Sequence, residues 1–213
     1  NLPTTEKKDL AEQPDAFLCI PRQDSAEYTT TSGTVGNPVT VCLSRKDIDR
    51  LAQNEAQSMT IAGCTSEDVF QLATTMDKRF MAGLAYAEGV RKLGAGLVRV
   101  GASSPALHWD SILRFQPTVI IAIPSFILTL MDYAKSNGID YKASSLKKVI
   151  AIGQPTRRKD LSLNAIGKRI EEDWGIEVYS TYASTEMASA FTECDAHEGG
   201  HVQPDLLYLE VLD

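Results

Sequence analysis

The sequence predicts an α/β fold in which a largely parallel sheet carries helices on both faces. Apolar runs of about four to seven residues alternate with amphipathic stretches of about ten or more between residues 44 and 181. That alternation is typical of βαβ units, because two parallel strands need a crossover connection that is usually a helix. Two of the amphipathic stretches end at Asn137-Gly138 and at Gly175, which are favoured helix stop signals.

The individual elements follow from these patterns. Ser44, with Asp47 three residues later, resembles a helix N-cap and predicts a helix that ends at Gly63. Short apolar runs predict strands over 69–74, 97–100, 118–123, 148–152 and 177–181. The amphipathic stretches predict helices over 81–93, 107–115, 125–136 and 161–174. Residues 1–27 are polar and interrupted by prolines, so we expect an irregular lead-in before a domain that spans 28–213.

The composition argues against several classes of protein. The chain of 213 residues has a net charge of -7, which gives no basic surface for nucleic acid. No apolar run approaches the roughly 20 residues that a membrane helix needs, so we expect no membrane partner. The cysteines lack the density and spacing of a disulfide framework, which favours a reducing cytoplasm; they are Cys19, Cys42, Cys64 and Cys194.

A loop between Tyr28 and Pro38 is rich in hydroxyl side chains and glycine. Glycines let the backbone approach an anion closely, and hydroxyls add donors, so the loop is suited to phosphate. It is not a Walker A loop, which has four residues between its glycines and a Gly-Lys-Ser/Thr ending. A solvated turn is the alternative interpretation. The residues that would contact phosphate are Thr30, Thr31, Ser32, Gly33, Thr34 and Gly36.

Two further segments follow predicted strands. Gly153-Gln154-Pro155 comes after the strand over 148–152, and Tyr182-Ala183-Ser184-Thr185-Glu186 comes after the strand over 177–181. Binding sites in parallel α/β sheets lie beyond the carboxyl ends of the strands, so both segments are candidate site residues. The alternative for Glu186 is an acid in the first turn of a helix.

Together these segments resemble the adenylate-forming enzymes. Thr-Ser-Gly-Thr-x-Gly-x-Pro at 31–38 is similar to the phosphate loop of that superfamily, and 182–186 is similar to its aromatic-Gly-x-Ser/Thr-Glu motif. Segments at 115–125, 153–155 and 193–213 are most similar to the phenylacetate-CoA ligase branch. The sequence departs from the pattern at Asn37, where many relatives carry lysine, and at Ala183, which replaces a glycine.

The resemblance implies a role for each motif. The residues from Thr30 to Gly36 would hold the β- and γ-phosphates of ATP, and Gly153, Gln154 and Pro155 would line the adenine pocket. Tyr182 would face adenine, with Ala183 and Ser184 beside it in the motif. Thr185 would contact the α-phosphate, and Glu186 would bind Mg²⁺; these two are the predicted catalytic residues. The candidate walls of the acyl pocket are Phe80, Tyr86, Ile123 and Phe126, and ordinary core packing is the alternative for each of them.

The resemblance also implies that the chain is part of a larger enzyme. A start without Met and an apolar end at 206–213 are expected for a piece of a longer protein. The piece would be most of the large N-terminal domain, without the mobile C-terminal domain that supplies a lysine for adenylation. We therefore expect this chain alone to be inactive. Members of the family commonly form homodimers.

A separate cluster suggests a metal. Cys194, His197 and His201 have the spacing Cys-x2-His-x3-His, and thiolate with imidazole suits zinc. A structural zinc site needs a fourth ligand, which nearby acids could supply. The alternative is a loop around Gly199-Gly200 with incidental histidines.

These observations lead to one main functional hypothesis and two alternatives. The main hypothesis is that the whole protein uses ATP to activate an aryl or acyl carboxylic acid and then forms a thioester with coenzyme A. One alternative is a synthetase that transfers the acyl group to a protein or carrier thiol. The other is a non-catalytic relative that binds nucleotide, which the missing loop lysine and the short 153–155 segment would favour.

Overall fold

The computed structural model describes residues 4–31 and 38–210. In chain order its main elements are α1 (Lys7–Glu12), β1 (Glu27–Thr30), β2 (Thr40–Leu43), α2 (Arg45–Ile61), β3 (Val69–Leu72), α3 (Met81–Leu93), β4 (Gly96–Arg99), α4 (Pro105–Phe115), β5 (Val119–Ala122), α5 (Pro124–Ser136), β6 (Lys148–Ala151), α6 (Ala165–Arg169), β7 (Glu177–Ser184), β8 (Ser189–Glu193) and β9 (Gly200–His201). Single 3₁₀ turns occur at Pro14–Phe17, Arg22–Asp24 and Tyr141–Ala143.

The main sheet confirms the predicted fold class. Its strand order is β4-β3-β5-β6-β7-β8-β9. The strands from β4 to β7 are parallel to their neighbours, whereas β8 and β9 add antiparallel to that sheet. Strands β1 and β2 form a separate antiparallel pair. The carboxyl ends of β3, β5, β6 and β7 therefore meet at one edge, which is where a ligand binds in sheets of this type.

Hydrophobic cores lie on both faces of the sheet because successive side chains of a strand point to opposite sides. In β5, Ile120 packs in a core with α4 and α5, whereas Ile121 packs in a core with α2 and α3. In β6, Val149 and Ile150 divide in the same way. Strands buried on both faces are continuously apolar, as the burial of all four β5 residues shows.

Helix α2 begins as the sequence predicts and is fixed against its neighbours. The Ser44 hydroxyl accepts a hydrogen bond from the Asp47 N–H, and the Asp47 carboxylate accepts one from the Ser44 N–H. Helix α3 crosses α2 closely at Gly89, where a Cβ atom would lie 2.4 Å from the Cβ of Glu55. A second close approach occurs at Gly83, where a Cβ would lie 2.0 Å from the Thr75 carbonyl oxygen. Glycine at both positions lets α3 pack tightly at the edge where the strands end.

The predicted helix over 161–174 is wrong in its first part. Leu163 instead forms an antiparallel bridge with Arg157, and the helix begins after Asn164, whose side-chain oxygen accepts from the N–H groups of Ile166 and Gly167. After α6 the chain continues as a π-helical turn over Ile170–Trp174. The amphipathic pattern continued across this cap, so periodicity alone placed the start too early.

The first 26 residues contain the short helix α1 and two 3₁₀ turns, so part of the expected irregular lead-in is helical. Its side chains are exposed or half-buried in the part that the structure describes. Over residues 4–31 and 38–210, no helix is long and apolar enough to cross a bilayer.

Candidate active site

A cavity of about 240 Å³ lies at the carboxyl edge of the parallel strands. Its lining comes from α2, α3, the segments that follow β3, β5 and β6, and the end of β7 with the turn to β8. Gly153, Ala183, Ser184 and Thr185 all contribute to it. The structure thus brings parts of two sequence-predicted segments to one cavity, at the edge where the parallel sheet predicts a site. Tyr182 and Glu186 do not line this cavity, and Glu186 lines a separate recess with Asp47 and Arg50.

The segment at 153–155 is only partly directed to the cavity. Gly153 lines it and has a φ of +71°, a left-handed conformation that favours glycine. The Gln154 side chain instead accepts a hydrogen bond from the Ser125 N–H at the start of α5, at 3.1 Å. The Pro155 carbonyl accepts from the Asn164 side chain at 2.7 Å. Gln154 and Pro155 therefore fix the surrounding elements, and Gly153 is the member of the segment that lines the cavity.

Tyr182, Ala183 and Ser184 lie within β7, which is longer than the predicted strand over 177–181. Pairing with β8 extends it, since Tyr182 is opposite Phe191 and Ser184 is opposite Ser189. The Tyr182 ring stacks on Phe191 at 6.2 Å, yet the residue is 66% exposed. An exposed aromatic face at this edge remains available to a flat ligand, as the sequence predicts for adenine.

Glu186 lies in the turn between β7 and β8, so the alternative of a first-turn helix acid is excluded. Its carboxylate is 3.1 Å from the Lys7 ammonium. Partial burial raises the pKa of Glu186, but its own backbone N–H, Lys7 and the Ser184 hydroxyl lower it more, so the net pKa is below the ordinary value. The carboxylate is therefore ionised at neutral pH and suited to a cation.

The two ends of the hydroxyl-rich loop are held together. Thr31 donates its N–H to the Val39 carbonyl, and the Val39 N–H donates to the Thr31 hydroxyl at 2.9 Å. The Thr30 N–H donates to the Arg79 carbonyl at 3.0 Å, which ties this end to the segment before α3. Thr30 and Thr31 thus have structural roles, while the other predicted phosphate contacts lie outside the described residues; these are Ser32, Gly33, Thr34 and Gly36.

Three of the four candidate acyl-pocket residues line the cavity, namely Phe80, Tyr86 and Ile123. Phe126 does not belong to that lining. It packs against the core on the other side of the sheet, with its ring 4.9 Å from the His108 ring. Its position in the first turn of α5 turns it away from the cavity, so for Phe126 the alternative of core packing is correct and the pocket-wall prediction is wrong.

The structure does not support the zinc site. The Nδ1 atom of His197 is 3.1 Å from the Glu193 carboxylate, which is itself held by Arg157. Cys194 and His201 line a separate surface recess. Among the residues that the structure describes, no group of three or more His, Cys, Asp or Glu side chains could hold a metal ion. The spacing did not bring the three side chains together, because His197 contacts Glu193 while Cys194 and His201 line the recess.

Sequence reasoning missed the buried polar residues of the cavity, which are Glu55, Thr74, Thr181 and Ser189. Glu55 from α2 is 5% exposed, and burial raises its pKa to about 8. Ser189 from β8 is equally buried, and its hydroxyl has no hydrogen-bond partner within the described parts of the chain. A signal for Glu55 was present, because it lies four residues after Leu51 and four before Met59, on the apolar stripe of α2.

Comparison with known proteins decides the family. The model of the family described as "AMP-binding enzyme" matches residues 2–206. This chain belongs to the AMP-binding enzymes. A phenylacetate-coenzyme A ligase from Aromatoleum evansii is 30% identical over 99% of the chain, and the match covers 47% of that protein. A phenylacetate-coenzyme A ligase from Thermus thermophilus is 27% identical over the whole chain, again across 47% of its length.

A solved structure of a CoA ligase has the same fold. A 2-hydroxyisobutyryl-CoA ligase in complex with 2-HIB-AMP and CoA, in the thioesterification state, superposes with a TM-score of 0.78 at 25% identity. That match covers 87% of this chain and 40% of the other. The chain thus spans about half the length of its phenylacetate-coenzyme A ligase relatives. It covers 40% of the chain of the 2-hydroxyisobutyryl-CoA ligase.

Proposed function

We propose that the whole protein is a carboxylate-CoA ligase that forms AMP, similar to the phenylacetate-CoA ligases. In the first step a carboxylate oxygen of the acid would attack the α-phosphorus of ATP, and the bond to the leaving pyrophosphate would break. In the second step the thiol sulfur of coenzyme A would attack the acyl carbon, AMP would leave, and the thiol would lose its proton. The product would be an acyl-CoA thioester.

One observation carries this proposal: the adenylate motif and an apolar cavity share one edge of the sheet. Ser184 and Thr185 line the cavity that Phe80 and Tyr86 also line. An acid bound in the cavity would thus have its carboxylate near the predicted α-phosphate contact. Holding the two reactants in this way removes much of the entropic barrier to their reaction.

Glu186, the chain neighbour of the cavity residue Thr185, is a charged residue that fits the first step. A carboxylate and a polyphosphate repel each other, so the site needs positive charge. Glu186 would hold Mg²⁺ in place of its contact with Lys7, since Mg²⁺ usually binds one or two carboxylates, phosphates and water. The cation would screen the phosphate charges and orient the polyphosphate. The hydroxyls of the loop from Thr30 to Gly36 would bind the β- and γ-phosphates.

The remaining expectations complete the proposal. Adenine would lie against Gly153 and the exposed face of Tyr182. Coenzyme A would reach the acyl carbon at the carboxyl edge of the sheet. A cytoplasmic location and a homodimer are also proposed; the four free cysteines are consistent with a reducing compartment.

Exchange of labelled pyrophosphate into ATP in the full-length protein tests the first step. We expect exchange that requires an added carboxylic acid and that falls by about 100-fold or more in Glu186→Gln, because an electrostatic contact to the reacting phosphates is lost. Glu198→Gln is the matched control, since Glu198 is an exposed acid away from the cavity. ATP binding without exchange, across aryl and short aliphatic acids, would favour a non-catalytic relative instead.

A second assay separates the thiol acceptors. With an acid that supports exchange, formation of the acyl-CoA thioester is measured directly by chromatography. A protein that exchanges pyrophosphate but makes no thioester with coenzyme A would be a synthetase for another acceptor, such as a carrier protein.

A further inference from the structure

Among the buried polar side chains in the wall of the cavity, one from α2 and one from β8 stand out. Glu55 and Ser189 are each 5% exposed, and both line the cavity together with Leu51, Met81 and Ala85. The Ser189 hydroxyl has no hydrogen-bond partner in the ranges 4–31 and 38–210. Buried polar groups in proteins are almost always hydrogen-bonded, so the Ser189 hydroxyl, unpartnered among the described residues, points to a ligand group in the cavity that Glu55 also lines.

The fold holds these two residues next to the same space. Asn54, the neighbour of Glu55, accepts a hydrogen bond from the Ala190 N–H at 2.7 Å and donates one to the Ala190 carbonyl at 3.3 Å. Ala190 is in turn the neighbour of Ser189. This pair of bonds fixes the register between α2 and β8, and therefore the relative positions of Glu55 and Ser189.

Two more contacts fix the position of Glu55, one to the C-terminal segment and one to α3. The Gln203 side chain donates to the Asn54 carbonyl at 3.0 Å, which fixes α2 on the side of the C-terminal segment. Gly89 of α3 packs directly on the Glu55 side-chain stem, where a larger residue would clash. Glu55 is thus part of a rigid wall, and its position does not depend on a surface loop.

The chemistry of the pair selects the group that it would bind. Burial raises the pKa of Glu55 to about 8, with no opposing cation or hydrogen bond from the described residues, so the carboxyl is mostly protonated at neutral pH. A protonated carboxyl offers one donor and an acceptor, and so does a serine hydroxyl. A ligand hydroxyl, which donates one hydrogen bond and accepts others, matches both residues at once.

We propose that Glu55 and Ser189 form a hydrogen-bonding subsite for a hydroxyl group on the acyl part of the acid, so that the preferred substrate is a hydroxylated carboxylic acid. This inference rests on the proposed ligase function. A hydroxyl suits the site better than an ammonium group, because a cation would have to leave water for a mostly apolar cavity and Glu55 would have to ionise there. The aromatic residues Phe80 and Tyr86 in the same wall favour a hydroxyaryl acid.

The test compares acids that differ in one group. Acid-dependent pyrophosphate exchange is measured in the full-length protein with the 2-, 3- and 4-hydroxyphenylacetates and with the methyl analogue of each. Hydroxyl and methyl are similar in size, so the ratio of kcat/KM reports the hydrogen bonds. We expect one hydroxy acid to exceed its methyl analogue by on the order of 100-fold or more, because a site built for a hydroxyl strongly rejects the analogue that lacks it.

Variants connect that ratio to the two residues. Glu55→Leu keeps the volume and removes a buried polar group, so the variant is expected to fold and to lose most of the hydroxyl preference. Ser189→Ala should lose a smaller part of it. Thr156→Val is the matched control, since Thr156 is fully buried with an unpartnered hydroxyl but does not line the cavity; it should keep the wild-type ratio.

The outcomes separate this inference from the function on which it rests. If no acid supports exchange, the proposed function fails and this inference fails with it. If acids support exchange but none of the hydroxy acids is preferred, or the preference survives Glu55→Leu, the subsite is wrong and the ligase function stands. Preference for an aminomethyl analogue that Glu55→Leu abolishes would overturn the hydroxyl assignment.

Discussion

Two buried glutamates of this chain have nearly equal exposure and opposite surroundings. Glu193 in β8 is 4% exposed, and its carboxylate is bound by the Arg157 guanidinium at 2.8 and 3.0 Å and by the Ser180 N–H at 3.2 Å. Glu55 in α2 is 5% exposed, and burial without a described partner raises its pKa to about 8. Glu193 faces the interior between strands, whereas Glu55 faces the cavity.

The difference shows how a structural carboxyl is distinguished from a functional candidate. A buried carboxylate that already has its partners contributes to the fold, and removing one partner leaves a charge in a medium that solvates it poorly. A buried carboxyl without partners costs stability and persists where another group supplies them. Burial alone therefore does not indicate function, whereas the position of Glu55 at the cavity, beside the unpartnered hydroxyl of Ser189 among the described residues, does.

The largest expected effect is the loss of the partner of Glu193. Arg157→Leu should lower the free energy of unfolding by about 3 to 5 kcal/mol, because the Glu193 charge would remain buried without its cation. Urea unfolding measures the change, with the exposed neighbour Arg158→Leu as the control. A change below about 1 kcal/mol would mean that Glu193 does not depend on this pair and would remove the contrast with Glu55.

A substitution of the other glutamate, Glu55, is expected to change the free energy of unfolding in the opposite direction. Glu55→Leu should raise the free energy of unfolding by about 2 kcal/mol at pH 8, because an unpaired carboxyl leaves the apolar wall. The folded pKa of Glu55 is raised above its unfolded value, so the wild type is relatively most stable below about pH 4.5 and loses that contribution as the pH rises to about 8.

The gain from Glu55→Leu should accordingly shrink between pH 8 and pH 5. Urea unfolding at these two pH values checks it, and Glu55→Gln separates charge from polarity, since it stays polar but cannot ionise. A destabilising effect of Glu55→Leu at pH 8 would indicate that the wild-type carboxyl has a partner and would contradict the contrast.

A smaller effect is expected at His108, a buried group that has its partners. Its ring nitrogens are 3.1 Å from the Gln71 side chain and 3.2 Å from the Gly101 carbonyl, and burial lowers the pKa of His108 to about 4 despite the contact with Gly101. The unfolded chain takes up a proton near pH 6.5 and the folded one only near pH 4. The free energy of unfolding therefore decreases as the pH is lowered from about 6.5 to about 4.

We expect this residue to account for about 1 kcal/mol of the loss between pH 7.5 and pH 5.5. His108→Gln, which does not titrate, should show a correspondingly flatter pH dependence of the free energy of unfolding. An unchanged slope in the variant would show that the ring titrates normally in the folded protein.

The smallest expected effect concerns the loop that carries Cys194, His197 and His201. Because no three metal-binding side chains gather among the described residues, treatment with a chelator should leave the melting temperature unchanged. Metal analysis of the purified protein should accordingly find no stoichiometric zinc, and Cys194→Ser should melt like the wild type. Loss of one bound zinc per chain together with a lower melting temperature would show that Glu193 and His197 rearrange to bind metal.

The pattern of the chain predicted most elements with small errors at their ends. The predicted helix over 81–93 matches α3, and Ser44 caps α2 as its spacing with Asp47 indicated. The helix over 161–174 failed because Asn164, a local cap, outweighed a continuous amphipathic pattern. Strand β7 was predicted too short, because its last residues are extended by pairing with β8 rather than by their own sequence.

The sequence by itself determined the α/β class and the candidate motifs at the strand ends, because periodicity, caps and glycines act within a few residues of each other. Only the tertiary structure decided which buried polar groups are paired. Glu193 in β8 forms an ion pair with Arg157, which lies after β6. Glu55 and Ser189 line the same cavity because Asn54 of α2 is hydrogen-bonded to Ala190 of β8. Such partners are distant along the chain, and their proximity depends on packing rather than on local pattern.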